Sequence, residues 1–194
     1  MEVLKQRIAD EGLIIENRVL KVDGFLNHQI DPALMMDIGR EFAARFSDTK
    51  IDRIVTIEAS GIAVALAASV ALGNVPIVFA RKKKSILMTD DLYHAAVYSY
   101  TKGETYDVTI SRKYLHNGER ILILDDFLAS GEAAIGLASL VAEAGCTVAG
   151  IGIVIEKSFQ PGRERLEKLG YRVESLSRIK AFEENKPVFL DDEE

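Results

Sequence analysis

Several residue types that often define a class of protein are scarce in this sequence of 194 residues. The single cysteine, Cys146, excludes an internal disulfide. It lies in EAGCTVAG, where a helix is expected to give way to a strand, so it is better explained as a small buried thiol than as a nucleophile. The three histidines are far apart and form no metal-ligand cluster. We therefore expect no metal that is held by protein side chains alone.

Long apolar runs and an excess of positive charge are also missing. No apolar run approaches the ~18 residues that a membrane span requires. The N-terminal MEVLKQRIADEG is amphipathic and acidic, unlike a signal or transit peptide. The net charge of −6 and the pI of about 5.2 give the protein no surface that would attract a polyanion. These features predict a cytoplasmic protein that has neither nucleic acid nor membrane as a partner.

The composition is that of an ordinary globular protein, with 48% hydrophobic and 28% charged residues. The length suits one domain, and neither an internal repeat nor a low-complexity linker is visible. Only the acidic tail LDDEE departs from this pattern. We expect residues 1–194 to form a single domain.

Helical and β-rich segments alternate along the chain. Helices are predicted at 3–10, 32–46, 62–72 and 132–144, the second with Asp31 as its N-cap and Pro32 at its first position. Short, almost wholly apolar runs predict strands at 53–57, 76–80, 120–124 and 149–155. Apolar strands separated by helices indicate a doubly wound α/β fold with a mainly parallel sheet, in which ligands bind at the carboxyl ends of the strands.

Two polar-alternating runs interrupt this pattern. AAVYSYT and TYDVTIS flank KGE at residues 102–104, which is typical of a hairpin turn. We expect an exposed antiparallel hairpin that is inserted into the α/β core.

The stretch ILILDDFLASGEAA combines an apolar strand, two carboxylates and a turn of small residues. Asp125 and Asp126 follow the predicted strand 120–124, and leaving the strand would let the second carboxylate swing toward the first. Two neighbouring anionic acceptors suit a vicinal diol or a divalent cation. The free amides of the following helix start suit a phosphate, so the pair of features predicts a sugar phosphate. The alternative is a solvated strand end with Ser130 as an ordinary N-cap.

This combination resembles the phosphoribosyl pyrophosphate (PRPP) signature of the type I phosphoribosyltransferases. The resemblance implies that family's fold, with a flexible inserted hairpin loop and a small hood formed by residues of about 1–30 and 157–194. It implies that Asp125 and Asp126 are the catalytic pair, which holds the ribose hydroxyls. The 5-phosphate would be bound by the loop residues Ala129, Ser130, Gly131, Glu132 and Ala133. Many family members carry Thr-Gly-Gly-Thr-like loops, so here the phosphate contacts shift toward backbone amides and the Ser130 hydroxyl.

Two further segments match the family's pyrophosphate site. TIEASGI lies where the family has its pyrophosphate loop, which implies that Ser60 and Gly61 bind PRPP. ARKKKS follows another strand and brings Arg81 and Lys82 to the same ligand. The inserted segment, about 82–113, corresponds to the family's mobile catalytic loop. Taken alone, the first segment could be a common helix cap and the second a solvated edge.

Most of the chain is similar to the bacterial xanthine phosphoribosyltransferases, above all LKVDGFLNHQIDP and GIGIVIEKSFQPGRERLEKLGYRVESLSRI. The resemblance implies that Asn27, Lys157 and the Leu20 backbone contact xanthine, and Phe159 could add an apolar ring. Asn27 could instead be a turn residue and Lys157 a surface cation. Glu156 would be structural or a partner of Lys157.

The resemblance also implies the reaction. The 5-phosphoribosyl group of PRPP would move to N9 of xanthine in purine salvage, giving xanthosine 5'-phosphate and pyrophosphate. Mg²⁺ would be bound mainly through PRPP or pyrophosphate, and the protein would be a homodimer in which the Lys82–Lys84 run could reach the partner's site. Two alternatives stay open: a guanine or hypoxanthine phosphoribosyltransferase, and a non-catalytic, PRPP-sensing regulator like the purine repressors. The acidic balance disfavours the regulator.

Overall fold

A computed structural model describes residues 1–82, 91–99 and 103–190. Its helices are α1 (Glu2–Glu11), α2 (Pro32–Arg45), α3 (Gly61–Ala71), α4 (Glu132–Glu143) and α5 (Gly162–Lys168), with a short π-helix at Asp23–Asn27 and a 3₁₀ turn at Arg112–Tyr114. Its strands are β1 (Leu13–Ile15), β2 (Val19–Lys21), β3 (Arg53–Ile57), β4 (Ile77–Ala80), β5 (Leu92–Ser99), β6 (Glu104–Ser111), β7 (Arg120–Leu128), β8 (Thr147–Lys157), β9 (Val173–Glu183) and β10 (Lys186–Phe189). Within the described ranges, no helix has the length and apolar character that crossing a membrane demands.

The central sheet has six strands in the order β10-β9-β8-β7-β3-β4. Its strands pair in parallel except β10, which runs antiparallel to β9 at one edge. The chain passes from β3 to the β4 edge and later returns to β7, on the other side of β3. The order therefore reverses between β3 and β7, and a ligand crevice is expected at their carboxyl ends. The predicted doubly wound, mainly parallel sheet is confirmed.

Apolar side chains cover both faces of this sheet, as the unbroken hydrophobic strands predicted. Helices α2 and α3 pack on one face and α4 on the other. This packing explains why the GIG sequence of β8 has glycine at positions 150 and 152. The rings of Phe46 and Phe42 lie 2.4 and 2.8 Å from the positions where side chains of Gly150 and Gly152 would begin. The predicted N-cap of α2 is also present, because the Asp31 carboxylate accepts hydrogen bonds from two amides of the first helical turn.

Strand β7 is longer than predicted. It pairs with β3 only as far as Ile123, but with β8 as far as Leu128, because β8 itself continues to Lys157 and supplies hydrogen-bond partners. Asp125 and Asp126 therefore lie within the strand, and the expectation that they follow its end is wrong. On the β3 side this part of β7 borders the crevice.

The predicted hairpin is present as β5 and β6, which pair from Leu92↔Ser111 to Ser99↔Glu104. It is not exposed on both faces, because alternate residues pack against α4. The Val97 side chain approaches within 2.5 Å of the position where Gly136 would carry a Cβ. A glycine in α4 thus lets the hairpin lie flush against the helix. Of the expected turn at residues 102–104, Lys102 falls outside the described residues, and Gly103 has a positive φ of 68°.

The N-terminal hairpin meets the hairpin that forms one edge of the central sheet. β1 and β2 turn at Glu16–Asn17, and β9 and β10 turn at Glu184–Asn185, with positive φ at all four residues. The Asn17 amide donates to Asn185 Oδ1 at 3.2 Å, and the Asn185 amide donates to Asn17 Oδ1 at 2.7 Å. We call this reciprocal pair of hydrogen bonds the asparagine clasp.

Candidate active site

The two aspartates of β7 form a buried acidic pair. Asp125 is 6% exposed and Asp126 8%, and the Asp126 amide donates to Asp125 Oδ1 at 3.0 Å. Burial, followed by the charge of Asp126, raises the pKa of Asp125 well above its ordinary value, and the Lys82 charge opposes this shift. These carboxylates are not a solvated strand end. Buried acceptors of this kind are stabilised by a ligand that brings hydroxyl donors or positive charge.

The Ser60–Gly61 turn at the start of α3 lies directly against the acidic pair. A Cβ on Gly61 would lie 2.0 Å from Thr56 Oγ1 and 3.4 Å from Asp125 Oδ1. Only glycine lets the chain pass this close to the end of β3. The peptide bond between Glu58 and Ala59, just before the turn, is cis. The amides at the start of α3 therefore border the crevice opposite Asp125.

The loop of residues 129–133 leads from β7 into α4. Gly131 has φ +86° and stands at the N-cap position, which has no side-chain cap, so Ser130 is not the N-cap of α4. Helix α5 packs against this loop. The Gly162 amide donates to Ala129 O at 2.9 Å, and Arg165 Nη1 donates to Ser130 O at 2.6 Å.

Sequence reasoning missed Gly162 and Arg165. The Pro161–Gly162 pair is a turn signal, but nothing in its local pattern tells which loop it will meet.

The two predicted cations face different ways. The Arg81 backbone exchanges two hydrogen bonds of 2.9 Å with Thr109 of β6, and its guanidinium lies 5.3 Å from the ring centre of Phe79. Lys82 Nζ lies 5.7 Å from the ring centre of Tyr106. Burial, followed by the charge of Asp125, raises the pKa of Tyr106, and the charge of Lys82 acts in the opposite direction on the pKa of Asp125. Lys83 and Lys84 lie outside the described residues.

Aromatic rings surround Lys157 at the end of β8. Its ammonium lies 5.9 Å from the ring centres of both Phe127 and Phe182, and it donates to Arg18 O at 3.4 Å. Burial, with a smaller effect of the Arg18 charge, lowers the pKa of Lys157. Phe159 stands edge-on to Phe182 at 5.4 Å and is 47% exposed. A half-buried cation between aromatic rings suits a planar, electron-rich ligand.

Leu20 and Asn27 approach from the N-terminal segment. Leu20 is buried on β2, two residues beyond the carbonyl that accepts from Lys157. Asn27 ends the π-helix, and its Nδ2 donates to Asp126 Oδ2 at 3.1 Å. The structure thus brings Asn27 to the acidic pair.

Glu156 is not a partner of Lys157. Its carboxylate is 1% exposed and accepts hydrogen bonds from Arg163 Nη2 at 2.7 Å and Ser158 Oγ at 2.7 Å. The side chains of Glu156 and Lys157 leave opposite faces of β8, as successive strand residues must. The structural role considered for Glu156 is the one observed.

Comparisons with known proteins show the family to which the chain belongs. Residues 27–193 match the family described as the phosphoribosyl transferase domain. The chain is 53% identical over 193 residues to a xanthine phosphoribosyltransferase of Bacillus cytotoxicus, covering 100% of this chain and 98% of that one. It is 54% identical over 191 residues to a xanthine phosphoribosyltransferase of Exiguobacterium sp., covering 98% of each.

Among solved structures, an adenine phosphoribosyltransferase from Rhodothermus marinus shares the fold. It has a TM-score of 0.74 at 19% identity and covers 92% of this chain and 100% of that one. The buried acidic pair, the two glycine turns and the full-length similarity lead to one assignment. The chain belongs to the phosphoribosyltransferase family, among the xanthine phosphoribosyltransferases.

Proposed function

We propose that the protein transfers the 5-phosphoribosyl group of PRPP to N9 of xanthine, giving xanthosine 5'-phosphate and pyrophosphate in purine salvage. One observation carries the proposal. Asp125 faces Gly61 so closely that a Cβ there would lie 3.4 Å from Asp125 Oδ1, Asp126 accepts a hydrogen bond from Asn27, and β7 leads directly into the loop of residues 129–133. This arrangement supports a ribose-binding site that lies between two turns with free amides.

In this proposal Asp125 and Asp126 accept hydrogen bonds from the two ribose hydroxyls. Residues Ala129, Ser130, Gly131, Glu132 and Ala133 hold the 5-phosphate at the N-terminus of α4, where free amides and the helix dipole favour an anion. The ribose is then fixed at both ends. Such positioning supplies much of the rate in a reaction whose transition state carries positive charge on the sugar.

The Ser60–Gly61 turn, Arg81 and Lys82 bind the pyrophosphate in this scheme. Amides at the start of α3 border Asp125, and the Lys82 charge acts on the same carboxylate. Neutralising the leaving group weakens its bond to the sugar without a covalent nucleophile. The segment of about 82–113 closes over the site and excludes water from the reactive centre.

Xanthine occupies the pocket of Lys157, Asn27, Phe159 and the Leu20 backbone. Its ring carries carbonyl oxygens at positions 2 and 6 and ionises near neutral pH. The Lys157 ammonium is partly desolvated, as the lowered pKa indicates, so an anionic acceptor would stabilise its charged form. Phe159 offers an apolar face beside it.

The acidic pair also fits Mg²⁺ as the cofactor. Mg²⁺ is bound by one or two carboxylates together with substrate phosphates, and retains several waters. Asp125 and Asp126 provide two carboxylates, and the described part of the chain holds no cluster of three or more potential metal ligands. A metal bound mainly by pyrophosphate would neutralise phosphate charge. The carboxylates would then hold the ribose and orient the complex of Mg²⁺ with the pyrophosphate group.

We also propose a homodimer in the cytoplasm. Leu66 and Val70 are 58% and 47% exposed, one turn apart on α3 beside the β4 edge, and this apolar strip supports contact with a second copy. Lys82–Lys84 remain candidates to reach the partner's pyrophosphate. Residues 1–194 would form one domain, with residues of about 1–30 and 157–194 as its hood; the asparagine clasp between the two segments supports this grouping.

The test is turnover with PRPP, Mg²⁺ and each of three bases. We expect xanthosine 5'-phosphate as the product and the highest kcat/KM with xanthine. A higher kcat/KM with guanine or hypoxanthine would assign the protein to a related transferase. Binding of a non-reactive PRPP analogue with no base preference and no turnover would identify a regulator. Either result would overturn the proposal.

A further inference from the structure

The loop of residues 129–133 carries a charge that opposes its proposed ligand. Glu132 stands in the first turn of α4, and its side chain is 23% exposed. A partly buried carboxylate repels a phosphate close by, because screening by water is incomplete there. The loop therefore requires a compensating cation to bind an anion well.

Arg165 of α5 supplies that cation. Its Nη1 donates to Glu132 Oε1 and also to Ser130 O, at 2.6 Å. One guanidinium thus contacts both the acidic side chain and the backbone of the same loop. The planar group with five donors suits such a double contact better than a lysine ammonium does.

The two loop carbonyls that accept from α5 also fix the direction of the loop amides. Ala129 O accepts from the Gly162 amide, and Ser130 O accepts from Arg165. In a trans peptide the C=O and the following N–H point in opposite directions. The N–H groups of Ser130 and Gly131 consequently point away from α5.

Gly162 allows this close approach. A Cβ at this position would lie 2.4 Å from Ala129 O and 2.8 Å from Leu128 Cδ1. Helix α5 can therefore begin directly against the loop, and Arg165 follows one turn later. The contact is built by two residues of one short helix.

We propose that Arg165 is a positioning residue for the 5-phosphate loop. Its guanidinium neutralises Glu132 and holds the Ser130 carbonyl away from the phosphate, so the loop presents its amides to the ligand. This inference rests on the proposed function, in which the loop binds the 5-phosphate of PRPP.

The experiment compares Arg165→Ala with the wild-type protein. Loss of a charged hydrogen bond predicts a rise of about tenfold or more in the Kd of ribose 5-phosphate by calorimetry and in the KM for PRPP. The KM for xanthine should stay within about twofold. Lys168→Ala is the matched control, because it removes a cation of the same helix that pairs with Glu164 at the exposed surface.

Adding Glu132→Gln to Arg165→Ala should recover most of the lost affinity, because the uncompensated charge is then gone. Arg165→Lys should retain part of it. Unchanged affinity in Arg165→Ala would overturn the proposal. So would equal rises in both KM values together with a lower melting temperature, or a double variant as weak as Arg165→Ala.

Failure of the proposed function would look different. A wild-type protein that binds ribose 5-phosphate but prefers guanine would refute the transfer to xanthine. The comparison of ribose 5-phosphate affinities would still decide the role of Arg165.

Discussion

Asn27 Nδ2 donates a hydrogen bond to Asp126 Oδ2 at 3.1 Å, across 99 positions of sequence. The contact joins the segment assigned to the base with the strand assigned to the ribose. The Asn27 amide retains a second N–H and a carbonyl oxygen, which are free to meet xanthine in the proposed complex. Substitution of Asn27 would then affect the binding of both substrates.

Asn27→Ala should therefore raise the KM values for xanthine and for PRPP, and lower kcat/KM for each by about tenfold. Asn27→Asp should be worse, because it adds a third carboxylate beside Asp126. Initial-rate kinetics with each substrate varied in turn would measure both effects. A change confined to xanthine would contradict the coupling.

Lys157→Ala should act on one substrate only. Removing a partly buried hydrogen bond to a charged group predicts a rise in the KM for xanthine of roughly 10- to 150-fold, with little change for PRPP. Lys50→Ala serves as a control, since that lysine is 73% exposed and pairs with Asp52. Equal effects on both substrates would argue against a base contact.

Asp125→Asn combined with Asp126→Asn should abolish turnover and leave the fold intact. The two amides keep the shape of the carboxyl groups but lose the charge that the ribose site and Mg²⁺ require in the proposed mechanism. Product formation would measure the turnover, and circular dichroism would show whether the fold is intact. An active double variant would refute the site assignment.

Asp125→Asn alone should stabilise the protein at neutral pH. The pKa of Asp125 is raised in the folded state. The contribution of Asp125 to folding stability is therefore fully present below its unfolded-state pKa and is lost as the pH rises through its folded-state pKa. The asparagine variant avoids that loss, and each kcal/mol gained would raise the Tm by about 2–4 °C. The difference from wild type should shrink as the pH is lowered.

Asp52→Asn is a comparison variant for which we expect no increase in the Tm. Hydrogen bonds from Lys50 and the Arg120 amide lower the pKa of Asp52, so that carboxylate favours folding at neutral pH. Its replacement should not raise the Tm. An Asp125→Asn variant that melts below wild type at pH 7 would show that the acidic pair is not strained in the folded state.

The asparagine clasp should matter for the base pocket. Asn17 immediately precedes Arg18, whose carbonyl accepts from Lys157. Asn17→Gly keeps the positive φ but removes the side-chain bond to the Asn185 amide, and a loss of about 0.5–1 kcal/mol predicts a two- to fivefold rise in the KM for xanthine. Asn74→Gly, at φ +67° beyond the end of α3, is the matched control. Equal kinetics in both variants would show that the clasp does not serve the pocket.

Much of the central fold was predictable because its signals are local. Strand 53–57 agrees residue for residue with β3, and the Asp31 cap and the start of α4 also agree, since contiguous apolar runs and caps need no distant partner. The three-residue strands β1 and β2 carry no such signal. Their burial alternates over too few positions, and they form because Ile14 and Leu20 pack into the core.

The residues of the candidate site were predictable in outline, but the contacts that hold them in place were not. The adjacency of Asp125 and Asp126 and the small-residue turn could be read from fourteen contiguous letters. The extension of β7 depends on hydrogen bonds from β8, and the bond from Arg165 to Ser130 spans 35 positions. Contacts of this kind are decided by how helices and strands pack, which local patterns do not encode.

The part of β7 beyond Ile123, which pairs with β8 but not with β3, has a thermodynamic consequence. Because Asp125 and Asp126 sit in a strand whose backbone is hydrogen-bonded to β8, the conformational entropy of arranging them is lost when the chain folds. This backbone part of the entropy does not have to be lost again when a ligand binds. A pair of carboxylates on a loose turn would lose this entropy only when the proposed ribose ligand bound, and would bind that ligand more weakly for that reason.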